Sequence, residues 1–243
     1  MRYLPIVCML LALAAGCGAA PATEIPPDPV TLVAQAAANI RASDRFRMTV
    51  ERTGAPYEVD TGLGRVTFRR ASAQYVAPDT LQATVSLTAA GLTAEVDIFA
   101  RGENQWFRNV ILTGGSWLNA PFAEGFNPQV LIAEETGFEA ALAAVRELTY
   151  AGPAALEDGT PVHRISGVAE GHDISALLAG LIEASGPTQV EVYIHRETGL
   201  PARFVIVQPE TASEQFPTPT TWTVDIYDYG APARLDDPEA RQS

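Results

Sequence analysis

From Phe46 onward the apolar residues recur with a period of two, the pattern of strands buried on one face. Phe46, Met48 and Val50 alternate with Arg47, Thr49 and Glu51, and Val66 and Phe68 continue the pattern. Leu81, Ala83, Val85 and Leu87 alternate with Gln82, Thr84, Ser86 and Thr88. Ala89-Ala90-Gly91 turns the chain, and Leu92, Ala94, Val96, Ile98 and Ala100 then alternate with polar partners. After the turn Arg101-Gly102-Glu103-Asn104, short strands are expected over 105–109 and 110–117. A further pair, 147–156 and 161–168, flanks Glu157-Asp158-Gly159-Thr160. Val190, Val192 and Ile194 lead through Glu197-Thr198-Gly199 to a returning strand with Phe204 and Ile206, and Trp222, Val224 and Ile226 form the last. Connections this short force antiparallel neighbours. One apolar and one polar face mark a sheet that is wet on one side only.

Three segments take helical spacing instead. Asp28-Pro29 starts the first, with Asp as cap and Pro in the first turn. Its stripe is Val30, Val33, Ala34, Ala37 and Ile40 or Arg41. Residues 126–148 contain the second, where Thr136-Gly137-Phe138-Glu139 fits a capping box ahead of Phe138, Ala141, Leu142, Val145 and Leu148. Asp173 is the expected cap of the third, in which Ile174, Leu177, Leu178, Leu181 and Ile182 share one face. The order of elements predicts an α+β fold: a long antiparallel sheet with a few helices packed on one face. A single domain over 28–229 and a frayed, polar tail over 230–243 complete the layout.

The start of the chain is a targeting signal. Met1-Arg2 precedes an apolar run from Tyr3 to Ala15, which is short for a membrane-spanning helix. Leu13-Ala14-Ala15-Gly16-Cys17 then has the form of a lipobox, although Ala14 stands where Leu is commonest. Residues 1–16 are expected to be removed, leaving Cys17 as the lipidated first residue at the outer face of a membrane. An ordinary secretory signal cut near Ala20, or an uncut anchor, is the competing reading. Residues 17–27, rich in small residues and Pro, read as a tether. Cys8 leaves with the signal, so no disulfide is open to the mature chain and a hydrophobic core must stabilise it.

Charge narrows the partners. All 16 basic residues are Arg, and with one of them in the signal the mature chain carries 15 − 29 = −14. Such a chain is repelled by nucleic-acid phosphates and by anionic headgroups, so attachment to a membrane rests on the acyl anchor. A monomer is expected.

Signals for chemistry are weak. His163, His172 and His195 show no metal-ligand spacing, and there is no serine elbow, phosphate loop or dinucleotide fingerprint. Neighbouring carboxylates such as Glu134-Glu135, Glu157-Asp158 and Asp236-Asp237 read as loop and cap residues. No enzyme activity, metal or cofactor is expected. The apolar face of the sheet is more informative. Either the helices cover all of it as an ordinary core, or a gap remains that an acyl chain fills. Ala83, Ala94, Ala100 and Ala202 would leave such space. Alternation names the residues of that face: Met48, Val50, Val66, Phe68, Val85, Leu87, Leu92, Val96, Ile98, Val192, Ile194, Phe204, Ile206 and Val224, with Leu177 and Leu181 on the facing helix.

The order of motifs resembles the LppX/LprG-type lipoproteins, relatives by fold of the LolA/LolB half-barrels. The resemblance spans about residues 28–228 and rests on five features. These are the lipobox and tether leading to Ala37-Ala38-Asn39-Ile40 and the Phe46 strand; Ala77-Pro78-Asp79 before the paired strands; Trp117 before a Pro-rich bend; Glu157 to His163; and Val190 to Ile194 through Glu197-Thr198-Gly199-Leu200 to Arg203. It implies a strongly curved half-barrel sheet wrapped around helices, with an apolar cavity between them. It also implies binding of lipid or glycolipid acyl chains and their carriage between membrane layers, with an envelope transporter as a further partner. A protein-binding or sensor module on the same fold is the alternative. The family has no catalytic motif to transfer.

Overall fold

The computed structural model describes residues 26–60 and 65–240. The expected signal and all of the expected tether except Pro26 and Pro27 lie outside them, Cys17 included. Helix α1 (Pro29–Arg41) begins as its sequence dictates: the Asp28 carboxylate accepts from the Thr31 N–H at 2.9 Å, and Pro29 fills the first turn. It buries Val33, Ala36, Ala37 and Ile40, whereas Val30 and Ala34 face solvent.

The strands are β1 (Arg45–Thr53), β2 (Glu58–Asp60), β3 (Arg65–Val76), β4 (Thr80–Ala89), β5 (Leu92–Arg101), β6 (Asn104–Arg108), β7 (Leu118–Asn119), β8 (Arg146–Ala155), β9 (Pro161–Glu170), β10 (Pro187–His195), β11 (Pro201–Gln208) and β12 (Thr220–Tyr227). They form one sheet in the order β7-β6-β5-β4-β3-β1-β12-β11-β10-β9-β8, with β2 beside β3. Every pairing is antiparallel. Two meanders, β3–β7 and β8–β12, are thus sewn together by β1, whose Met48 and Val50 face Ile226 and Val224 across the join. The sheet does not close. β8 is one edge, and its register shifts, Pro153 and Gly152 at φ 110° discourage another strand from adding there.

One face of this half-barrel holds the core. Phe46 stacks on Tyr75 at 5.0 Å and meets Phe138 edge-on at 6.0 Å, and Phe138 in turn stacks on Phe204 at 6.0 Å. These rings tie α3 (Phe138–Ala143) to strands from both meanders. Trp222 is fully buried, and its indole N–H donates to the Gln208 side-chain oxygen at 2.8 Å.

Four local expectations are corrected. Residues 110–117 are not a strand: Asn109 Oδ1 accepts from the N–H groups of Ile111 and Leu112, which starts the helical turn α2 (Val110–Thr113), and Gly114 at φ 61° ends it. α3 is capped at Gly137 rather than Thr136 and stops at Ala143, so Leu148 belongs to β8. A Cβ on Gly137 would stand 2.5 Å from the Ala133 carbonyl oxygen, which explains glycine at this join. The third helix is 3₁₀, Gly171–Leu178, opened by Glu170 rather than Asp173 and ended by Ala179 at φ 62°. Ile174, Leu177 and Leu178 of this segment are buried; of the two further positions expected on the helix, both now beyond its end, Ile182 is buried and Leu181 only partly so.

The fourth correction concerns residues 230–240, whose polar composition reads as frayed. They run across the outer face of β3 to β6. Arg234 exchanges two hydrogen bonds with Gln74, and the Asp236 N–H donates to Gln82. Arg101 pairs with Asp237 at 2.6 Å and Glu239 at 3.0 Å, and Arg108 pairs with Asp97 at 2.7 Å and Asp236 at 2.8 Å. The acidic run that suggests a solvated tail is what binds these two arginines.

Candidate functional site: the concave face of the sheet

Antiparallel register places the predicted face residues on one surface. Val85 lies opposite Val96, Ala83 opposite Ile98, Val192 opposite both Phe204 and Ile165, and Phe204 opposite Val224. The surface is covered unevenly. Over β1 and β9–β12 it is sealed by α1, α3 and the 3₁₀ segment. Met48, Val50, Val192, Ile194, Phe204, Ile206, Val224 and Leu177 are all buried there. They form a packed core and leave no gap of their own.

Over the β3–β6 quarter the cover is thinner. Phe68 and Ile98 are buried at its border, but Val66, Val85, Leu87, Val96 and the facing Leu181 remain partly exposed. Phe107, Phe122, Val130 and Tyr57 pack around them, and each is also only partly buried. Leu92, at the start of β5, is 75% exposed and lies outside this lining. Two depressions of about 380 and 350 Å³ lie on the opposite, convex face, the first lined by Ser166, Gln189 and Glu191 and the second by Arg47, Gln74, Gln82 and Arg234.

Gln105 of β6 fixes one wall of the thinly covered quarter. Its amide nitrogen donates to the carbonyls of Ala123 at 2.7 Å and Phe126 at 3.1 Å, and its Oε1 accepts from the N–H groups of Phe122 at 2.9 Å and Ala123 at 3.0 Å. All four bonding positions of the buried amide are used. The loop carrying Phe122 and Phe126, whose rings lie 5.9 Å apart, is thereby fastened to β6. Sequence reasoning missed Gln105, because a lone polar residue in a strand looks the same whether it faces water or a distant loop.

Titratable groups do not converge on this face. Among the described residues, no group of three or more His, Cys, Asp or Glu is placed to hold a metal. His163 contacts the Tyr150 hydroxyl at 3.0 Å, and burial pushes the pKa of His163 and of His195 down, favouring the neutral rings. The ion pairs Arg203–Asp225 and Arg164–Glu191 join side chains on the polar face of the strands, and Arg203 also pairs with Glu157 in the turn between β8 and β9.

Fold and site together define an open antiparallel half-barrel whose apolar concave face is sealed on one side and half-covered on the other. The chain belongs to the LppX_LprAFG lipoprotein family, whose model matches residues 28–234. Two solved structures share the fold. LprF from Mycobacterium bovis superposes with a TM-score of 0.62 at 14% identity, covering 87% of this chain and 98% of that one. LppX from Mycobacterium tuberculosis gives 0.55 at 19% identity, covering 86% and 100%. No curated protein matches the chain significantly. Membership in a lipoprotein family points to the cell envelope, and among the described residues no helix is long and apolar enough to cross a membrane.

Proposed function

We propose that this chain binds the acyl chains of a lipid or glycolipid against the half-covered concave face and carries them between membrane layers, anchored through Cys17 at the extracytoplasmic side. The observation that supports this most is the uneven cover. Val66, Val85, Leu87, Val96, Phe107 and Leu181 keep partly exposed apolar surface beside a fully packed core. Apolar area removed from water is worth about 25 cal/mol per Å², and each buried methylene about 0.8 kcal/mol, so a long acyl chain laid along this wall has a strong drive to bind. The sealed half would give the scaffold its rigidity and the thin half its capacity to admit a ligand. No reacting group is needed for such a role. Transfer of a fluorescent phospholipid from donor to acceptor vesicles tests it: transfer should rise in proportion to added protein. Transfer at the spontaneous rate, with no lipid retained on the protein, would refute it.

A further inference from the structure

Apart from Val30 on α1, the large aliphatic side chains that stand exposed among the described residues cluster at one end of the sheet. Ile111 is 85% exposed, Val110 80% and Leu112 58%, all on the helical turn α2; Leu118 of β7 follows closely in sequence at 47%. Leu92, at 75%, opens β5 at the same end, and the Asn109 side chain ties the α2 turn to β5 by donating to the Glu95 carbonyl at 2.7 Å. The turn is built, not frayed: Asn109 caps it twice and Gly114 closes it. A capped turn that presents three consecutive aliphatic residues to water has a reason other than folding, because its side chains add nothing to the core.

Charge indicates what covers it. Charged residues make up 19% of the chain, yet none occurs in 80–94 or in 109–123, the two stretches that contain these tips. The other turns are charged: at the opposite end of the sheet by Asp79, Arg101, Glu103, Glu157, Asp158, Arg196 and Glu197, and at this end, away from the tip, by Asp60, Arg65, Glu210 and Glu214. An acidic protein approaches phosphate headgroups at least electrostatic cost through a tip free of carboxylates. The chain outside the described residues supplies the nearby membrane. The ten residues 18–27 span at most about 35 Å when fully extended, so an acyl group on Cys17 holds the domain within reach of a bilayer.

We propose that Val110, Ile111, Leu112 and Leu118, with Leu92, form a bilayer-docking tip that seats at the boundary between headgroups and acyl chains. The inference takes its membrane from the Cys17 anchor of the reading above, but it does not require that lipid be carried. Docking would set the half-covered β4–β5 wall, which Leu92 opens, against the lipid surface.

The test uses the full chain, lipidated in its host and reconstituted in phosphatidylcholine vesicles with a minor fraction of phosphatidylglycerol. A lipidated Cys17 has no free thiol, so Leu112→Cys and Glu103→Cys each give one site for an environment-sensitive fluorophore. Quenching by brominated acyl chains should be severalfold stronger at 112 than at 103, and Ile111→Asp in the Leu112→Cys chain should remove it. Both tip positions are exposed, so these changes leave the fold intact. Equal quenching at 112 and 103 would overturn the proposal. So would a label at 112 that is shielded without vesicles in a chain that sediments as a dimer, since the tip would then be a contact between two copies. Quenching at 112 without lipid transfer would sink the carrier reading and leave docking standing; labelling of residue 17 would sink the anchor.

Discussion

Two aspartate substitutions on the same apolar face should have opposite consequences. Val96 lies opposite Val85 and is partly exposed, whereas Val192 is 1% exposed between Phe204 and Ile165. In Val96→Asp the new carboxylate still reaches water in the free protein, so the cost is the lost partial burial of one valine, about 1 kcal/mol. With an acyl chain in place the same carboxylate would be desolvated, and two or three methylenes would lose their apolar contact. At about 0.8 kcal/mol per methylene plus at least 1–3 kcal/mol for an uncompensated polar group, affinity should fall by roughly 100-fold or more. In Val192→Asp the charge has no route to water, and its cost of several kcal/mol is comparable to the whole stability of a typical domain. Thermal melts by circular dichroism and titration with a fluorescent acyl lipid separate the two cases. The prediction is a folded Val96→Asp that does not bind and a Val192→Asp that does not fold. A Val96→Asp protein that binds as wild type, or a Val192→Asp protein that melts within about 1 kcal/mol of wild type, would show that the division of the face is wrong.

Gln105→Leu would strand the N–H groups of Phe122 and Ala123 and the carbonyls of Ala123 and Phe126, costing about 2–4 kcal/mol, or roughly 5–15 °C in melting temperature; an unchanged melt would remove Gln105 as the fastener of that loop. Gly137→Ala should weaken α3 docking, because the added methyl would meet the Ala133 carbonyl at 2.5 Å, and refolded protein should melt lower with no change in strand content. The Asp237 carboxyl is held below its ordinary value of 3.8, chiefly by the hydrogen bond from Arg101. Its contribution is therefore fully present above that value and lost as pH falls through the lowered one, so hydrogen exchange of residues 231–240 should stay slow at neutral pH and accelerate only under acid; acceleration near pH 6 would contradict the assignment.

Most of the sheet was legible because each long strand keeps one face apolar without interruption. The register follows from alternation joined by short turns, and Asp28-Pro29 marked its helix directly. Failures came where a local rule met a distant partner. Phe99 occupies a polar-side position of β5, so alternation gives it no role, yet it is fully buried on the outer face against Trp106 at 5.7 Å. The register shift between Phe68 and Arg70 changes which residues of β3 face inward, bringing Tyr75 opposite Leu81 in the core. Val110-Ile111-Leu112 has strand composition, and only the capping by Asn109 makes it a turn. The division between sealed and thin halves could not be read at all. It depends on where α1, the 120–145 crossover and the 3₁₀ segment come to rest, and nothing in the alternation of a strand reports what covers it.

Native mass spectrometry of the mature chain without its anchor, residues 18–243, purified free of detergent, tests acyl-chain binding most directly. The account predicts a bound mass that organic solvent removes and lipid analysis identifies as carrying long acyl chains, and that Val96→Asp lacks. A bare protein mass that takes up nothing from added phospholipid vesicles would contradict it and leave the half-covered face to a protein ligand.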